Sequence, residues 1–335
     1  VRATDMENDR GVSSLWSKDL SAPTKPEVKV AASEGGAFDV QWAPDGSGFY
    51  FLSARGGGGT TQVWKADALG NNAQQITNLI LDVETYRVAP NGTGLVVALA
   101  VYPECKGNEI VCTAERLKGR KAVKGTGQLH DKLFLRHWDT WKDGTRNHLF
   151  YIPLHNTAAT PVAITDGFDG DIPSKPFGGN EDFAIGKDGH TVYFSARIAG
   201  KTEPWSTNFD IYSVSISGGE PKNLTANNLA WDAAPIISPD GTKLAYKAMS
   251  RPGYEADRFQ LKVIDLTTGA VTDVARAWDR SAASIAWSRD GKSLLVTADD
   301  IGKHRLFRIA IKTNSVTALS KDGHIDAFAE TPTGF

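Results

Sequence analysis

Carboxylates, guanidinium groups and indoles cluster at a few places in this chain. An acidic pair, Glu181 and Asp182, sits in the segment Gly-Gly-Asn-Glu-Asp-Phe (178–183). Glu255, Asp257 and Arg258 share a second segment, and Trp205, Ser206 and Asn208 a third. A planar guanidinium such as Arg258 suits bidentate pairing with a carboxylate or a hydrogen bond to a carbonyl. Trp205 offers much contact area with few torsions, either as a pocket wall or as packing beneath a loop. The run Trp138, Asp139, Trp141, Asp143 is the most distinctive of all and reads as mainly structural. These residue types bind. The means of breaking a bond are missing: no Gly-x-Ser-x-Gly elbow exposes a nucleophilic serine, and no alternation of strands and helices builds an α/β-hydrolase. His137, His148, His190 and His304 stand singly and read as surface or strand histidines. The two cysteines, Cys105 and Cys112, lack the further His or Cys ligands that a zinc site wants. A local disulfide closing a small loop is the better reading, and it implies an oxidising compartment. Neither a metal nor a cofactor is called for.

The elements that must position these groups repeat. Between Phe38 and Thr77 lie four short apolar runs, Phe38 to Trp42, Gly48 to Ser53, Gln62 to Ala66 and Gln74 to Thr77. Pro44-Asp45-Gly46 separates the first two. Asp-Gly between apolar runs signals a hairpin, because Gly takes positive φ and Asp bonds its own backbone. Matching turns occur at Asn91-Gly92, Asp188-Gly189, Asp240-Gly241 and Asp290-Gly291, in steps of 46, 97, 52 and 50 residues. A four-stranded unit recurring about every 40–50 residues marks a β-propeller. The predicted fold is all-β, a propeller of four-stranded antiparallel blades, about seven in the parent protein and about six here. A partial unit ends near Ala32. Full units follow at 38–77, 83–165, 180–225, 231–274 and 282–319, and another starts after His324. The long step holds an insertion from about Tyr102 to Asp131. It contains both cysteines, a short surface helix over Thr113 to Val123, and a solvated basic face over Arg116 to Lys124. Four units end in an apolar residue followed by Thr or Ser, at Thr77, Thr165, Thr225 and Ser320. Polar β-branched residues there suit an edge that must not recruit another strand.

In a meander the loops between second and third strands share one face with the connections between blades. The elaborated segments fall there: Gly56 to Gly59, the cysteine insertion, Ile198 to Asn208 and Arg251 to Arg258, joined by the connection Gly167 to Asn180. Loops that grow on one side of a regular scaffold face a ligand or partner. The net charge of -2 carries no nucleic-acid footprint. No run of about 18 apolar residues exists to span a membrane. Both ends read as cut, so the chain is expected to be a piece, 1–335, of a longer polypeptide.

Four segments, 136–150 (RHWDTWKDGTRNHLF), 176–183 (PFGGNEDF), 203–212 (EPWSTNFDIY) and 251–269 (RPGYEADRFQLKVIDLTTG), resemble the propeller domain of prolyl-oligopeptidase-family serine peptidases. The similarity covers essentially the whole chain and is nearest the dipeptidyl peptidase 5 and acylaminoacyl-peptidase branch. It implies a substrate-gating cap on an α/β-hydrolase domain beyond Phe335 that carries the Ser, His and Asp. Expected partners are a peptide substrate, that fused hydrolase domain and a second copy in a homodimer, with neither nucleic acid nor membrane. The compartment implied is periplasmic or secreted. An exopeptidase that releases dipeptides must hold a free α-ammonium group, and related caps supply acidic residues for it. Glu181 is the first candidate, against a strand-entry acid bonding backbone amides. Glu255 and Arg258 are candidates for substrate contact, against an internal pair that shapes their loop. Trp205 and Asn208 complete the substrate-binding set. Three other readings stand: an acylaminoacyl-peptidase cap, a stand-alone TolB-like protein-binding propeller, and a metal-dependent lyase or lactonase. The last would rely on Glu84, Glu181 and Asp232, which lack a histidine cluster.

Overall fold

The computed structural model describes residues 2–7, 9–22, 24–127, 136–137, 139–331 and 334. Five sheets of four antiparallel strands form in chain order. Blade 1 contains Phe38–Trp42, Gly48–Ser53, Gln62–Asp67 and Gln74–Gln75. Blade 2 contains Thr85–Val88, Gly94–Val101, Arg146–Pro153 and Val162–Ala163. Blade 3 contains Phe183–Ile185, Thr191–Ala196, Asp210–Ser215 and Lys222–Asn223. Blade 4 contains Asp232–Ile237, Lys243–Ala248, Gln260–Asp265 and Val271–Val274. Blade 5 contains Ile285–Trp287, Ser293–Asp300, Lys303–Ala310 and Val316–Ala318. Every blade is a meander, so the fold is an all-β propeller. Two compact units divide the chain: Val1–Gly127 with Gly144–Phe168, holding blades 1 and 2, and Gln128–Asp143 with Asp169–Phe335, holding blades 3 to 5.

The five hairpin turns are copies of one another. In each, a carboxylate or amide oxygen accepts the backbone N–H two residues on: Asp45 from Ser47, Asn91 from Thr93, Asp188 from His190, Asp240 from Thr242 and Asp290 from Lys292, at 2.8–3.1 Å. The following glycines, Gly46, Gly92, Gly189, Gly241 and Gly291, all sit at φ between 67° and 79°. A side chain there would be strained, which is why Asp-Gly or Asn-Gly recurs.

The second strands of the blades are deeply buried. Gly48–Ser53 is buried at every position, and Leu95 to Leu99 are fully enclosed. Covered on both faces, such strands read as continuous apolar runs rather than alternating ones. In the first unit Tyr86, Leu95, Leu99, Phe150 and Ile152 pack together. In the second, Ala245, Leu261, Leu294, Val296 and Ile309 form one cluster, and Ile211, Leu244 and Tyr246 belong to another.

There are five four-stranded blades, not about six. The segment before Ala32 makes two separate ladders, Arg2–Asp5 with Arg10–Ser13 and Trp16–Ser17 with Val28–Lys29. The polar stretch between Ser17 and Val28 is bridged by a Lys18–Glu27 ion pair at 3.0 Å instead of by strands. After His324, only isolated bridges form among the described residues, His304 with His324 and Thr331 with Gly334. The strand Phe38–Trp42 alternates, with its apolar side facing outward: Phe38, Val40 and Trp42 are all exposed. Its polar residues meet blade 2, where Gln41 Nε2 donates to Tyr86 O (2.6 Å) and the Thr85 hydroxyl donates to Asp39 (2.5 Å).

The insertion carries the long helix, α1 (Glu109–Ala122), which starts four residues before the helix expected from the sequence. Its first turn is built from buried contacts. Cys105 and Cys112 form a disulfide with Cα atoms 5.8 Å apart. The Thr113 hydroxyl accepts Tyr102 N–H at 2.9 Å. Glu109 and His148 pair at 2.7 Å, both buried. Among the described residues no helix is long and apolar enough to cross a membrane. Closing so short a loop contributes about 2 kcal/mol in the chain-entropy picture. Replacing both Cys105 and Cys112 by Ser is therefore expected to lower the unfolding free energy by that amount, and the urea midpoint with it. Dithiothreitol should lower the wild-type midpoint and leave the variant unmoved, and equal midpoints for both proteins without reductant would refute a stabilising bridge.

Candidate functional site

Glu181 and Asp182 are neighbours in sequence and opposites in environment. Both lie in a single helical turn, Asn180–Asp182, that leads into the first strand of blade 3. Asp182 points inward and is buried. Its Oδ2 accepts the Ser174 backbone N–H at 2.9 Å and the Ser174 hydroxyl at 2.8 Å. Burial pushes its carboxyl up to about 6, although Ser174 pulls it back. Gly178 leaves room for this contact: a Cβ there would lie 2.3 Å from Asp182 Oδ2 and 2.5 Å from the Ser174 carbonyl oxygen. Glu181 points outward and is exposed. Its Oε1 accepts only a near backbone amide, Gly179 N–H, at 3.1 Å.

A lysine completes this corner. Lys247 ends the second strand of blade 4, donates from Nζ to Ala283 O at 2.6 Å, and lies 4.9 Å from the Phe259 ring centroid. Burial lowers its ammonium, and Asp182 and Glu181 hold it up. One cation thus faces two carboxylates. Asp182 is buried and Lys247 is half-buried, and the exposed Glu181 presents its carboxylate to solvent.

The two long loops are tied together. Gly253 N–H donates to the Thr207 hydroxyl at 2.8 Å. Beneath them runs an aromatic ladder: Phe209 stacks on Trp231 at 4.9 Å, and Trp231 meets Phe259 edge-on at 5.7 Å. Arg197 caps the ladder 4.9 Å from Phe209 and donates to Ser206 O at 2.6 Å. Lys142 anchors the 198–208 loop through Glu203 at 2.5 Å. In the other loop Arg251 lies over Tyr254 and pairs with Asp257. Desolvation pushes the Asp257 carboxyl up, but the backbone amides of Ser250, Arg251 and Arg258 outweigh it and bring it to about 2.

The five predicted substrate residues all fall in the second unit, yet they do not line one cleft. Glu181 presents a carboxylate to solvent. Trp205 is exposed at 66%, and Glu255 is exposed with no partner among the described residues. Arg258 is committed elsewhere: its guanidinium donates to the carbonyls of Trp278 and Arg276. The Asn208 amide, oriented to satisfy both groups, donates to Asn228 O (3.0 Å) and Leu229 O (3.2 Å). Both residues fix backbone. Trp138 lies outside the described residues, and its neighbour Trp141 is exposed in a two-stranded hairpin, Arg136–His137 with Thr140–Trp141. Lys247 and Ser174 were missed by sequence reasoning. Lys247 is one lysine among many at a strand end, and nothing nearby in sequence announces Asp182 as its partner. Among the described residues no cluster of three or more His, Cys, Asp or Glu side chains can hold a metal.

Among the described residues the fold is a regular β-propeller with elaborated loops. Similarity narrows this further. Dipeptidyl-peptidase 5 of Porphyromonas gingivalis is 26% identical over 332 residues, covering 97% of this chain and 46% of that protein. Dipeptidyl-peptidase 5 of Aspergillus fumigatus is 28% identical over 312 residues, covering 84% of this chain and 42% of that protein. The chain is a homologue of these peptidases and spans less than half their length. An acylaminoacyl peptidase solved with a chloromethyl ketone shares the fold at a TM-score of 0.69 and 13% identity, covering 98% of this chain and 44% of that one. No protein-family model matches.

Behind the loops lies a second buried acid. Asp232 is fully buried, and its Oδ1 accepts from Asn228 at 2.7 Å. Its Oδ2 and Asp210 Oδ1 are both buried without a partner. Burial first, then the neighbouring Asp210, raises the Asp232 carboxyl to about 7. A carboxyl whose folded value lies above its unfolded one stabilises the fold below about pH 4 and loses that contribution as pH climbs through about 7. Asp232→Asn is expected to raise stability at pH 8 by roughly 2–4 kcal/mol, since a tenfold change in proton affinity is equivalent to about 1.4 kcal/mol. The gain should vanish near pH 4. Urea titrations at the two pH values check this, and a gain independent of pH would contradict the assignment.

Proposed function

We propose that this chain is the substrate-gating, N-terminus-recognising propeller domain of a serine exopeptidase that releases dipeptides. The observation that carries the reading is the charge arrangement at the start of blade 3. Glu181 offers an exposed carboxylate held by the Gly179 amide, while Asp182 is turned inward and tied to Ser174. A free α-ammonium group docking there meets a net negative charge without a second exposed carboxylate competing for it. Charge-assisted hydrogen bonds of this kind are about twice as strong as neutral ones. The homology to proteins named dipeptidyl-peptidase 5 supports the same substrate class.

Under this reading the bond-breaking step belongs to a fused α/β-hydrolase domain. There a serine attacks the scissile carbonyl, a histidine takes and returns the proton, and an aspartate orients the histidine. The propeller contributes binding and exclusion. Its tied loops admit short, unfolded peptides, and Glu181 fixes the register by capturing the terminus. Trp205 and Glu255, both exposed on those loops, are left to contact substrate side chains. The Cys105–Cys112 disulfide supports a periplasmic or secreted location.

The test is Glu181→Gln in the full-length polypeptide. KM for dipeptidyl substrates with a free amino group should rise about tenfold or more, a loss of about 1.4 kcal/mol or more of binding. KM for the same substrates carrying an acetylated terminus should stay unchanged. An unaltered KM for the free-amino substrates would remove Glu181 from the site. A preference of the wild-type enzyme for acetylated substrates would favour the acylaminoacyl-peptidase reading instead.

A further inference from the structure

A cleft of about 630 Å³ opens between the end of blade 3 and the last three strands of blade 4. Its size falls within the range of small-ligand sites. Its charge is unusual for a chain whose net charge is -2. Arg258, Lys262 and Arg276 line it, against Asp273 alone. Lys262 and Asp273 pair at 2.5 Å and cancel. Two guanidinium groups remain. Arg258 is held rigidly by the carbonyls of Trp278 and Arg276, so the two arginines are neighbours through the backbone of one of them. The Arg276 side chain is exposed and has no hydrogen bond or ion pair among the described residues. Like charges held together in a concave site favour an anion.

The remainder of the cleft says what body the anion is attached to. Leu224, Met249 and Val271 give it apolar walls. Its margin is the strand Val271–Val274, which among the described residues pairs only with Gln260–Asp265. Such an edge keeps one row of backbone donors and acceptors for an added strand. A bare inorganic anion uses neither feature. We propose that this cleft binds an extended acidic peptide segment, whose carboxylates meet Arg276 and Arg258 and whose apolar side chains meet the walls. The assignment is independent of the exopeptidase reading, because neither Glu181 nor a free terminus takes part.

The experiment is isothermal titration of this 335-residue chain with an acetylated, amidated Leu-Glu-Leu-Glu peptide, its Leu-Lys-Leu-Lys counterpart and inorganic phosphate. The acidic peptide should bind and the basic one should not. Arg276→Gln, at an exposed position that leaves the fold intact, should weaken the acidic peptide about tenfold, equivalent to about 1.4 kcal/mol. Lys312→Gln, an exposed cation on blade 5, should leave it unchanged, and so should Glu181→Gln. Equal binding of the two peptides, or full affinity in Arg276→Gln, would overturn the proposal. Phosphate binding as tightly as the acidic peptide would overturn it too, by reducing the site to a simple anion site.

Discussion

One recurring hydrogen-bond arrangement holds the last strand to the rest in four of the five blades. In blades 1, 2, 3 and 5 a single residue of the third strand, Val63, Leu149, Ile211 or Leu306, is satisfied twice by one dipeptide. Its carbonyl accepts the N–H of Ile76, Ile164, Leu224 or Leu319 at 2.8–2.9 Å. Its own N–H donates to the hydroxyl of the next residue, Thr77, Thr165, Thr225 or Ser320, at 2.9–3.0 Å. The last strands are only two or three residues long and cannot hold on by a ladder alone. A buried backbone group without a partner costs as much as a lost hydrogen bond, so the hydroxyl does what a longer strand would do. The regularity of the propeller rests on these four side chains as much as on its turns.

This firmness at the blade ends frees the loops between second and third strands to vary. They are held by a few specific contacts at their roots, Gly253 to Thr207 and Arg197 to Ser206, over the rings of Phe209, Trp231 and Phe259. Cations flank these rings, with Arg197 at one end and Lys247 at the other. Lys247 therefore has two roles. It ends the aromatic ladder, and Asp182 and Glu181 favour its charged form, so loop packing and the charge at the start of blade 3 meet at one ammonium group. Glu181 is the outward member of the acidic pair.

The turns and strands were legible because each is specified within a few residues. Asp-Gly and Asn-Gly require positive φ at the glycine, and all five are found as expected. Resemblance in the long segments led to the peptidase homologues. What escaped was whatever depends on a distant partner. Thr77, Thr165 and Thr225 suit an exposed edge by sequence alone, but they are buried because each accepts a third-strand amide. Which way the apolar residues of Phe38–Trp42 face was not legible either, because it depends on Gln41 and Asp39 bonding to blade 2. Arg258 and Asn208 have the right chemistry for substrate, and backbone carbonyls claim them first. The count of six blades failed because strand-like sequence before Ala32 makes separate hairpins, and sequence pattern does not say which strands pair.

The insertion after Val101 is where these constraints meet most sharply. It leaves the sheet and so loses ladder hydrogen bonds as a means of attachment. Three other contacts replace them within one helical turn. The disulfide joins Cys105 to Cys112, Thr113 accepts Tyr102 N–H, and Glu109 reaches His148 on the third strand of blade 2. His148 is a strand histidine with both ring nitrogens facing acceptors, Glu109 Oε1 and Phe168 O, each at 2.7 Å. Glu109 Oε1 also accepts Gly167 N–H at 3.1 Å. A single buried carboxylate oxygen thus binds the start of α1, a blade strand and the connection that leaves that blade. Removing either partner would strand a buried polar group, so the insertion is fixed to the blade by the cost of separating them rather than by the area they bury.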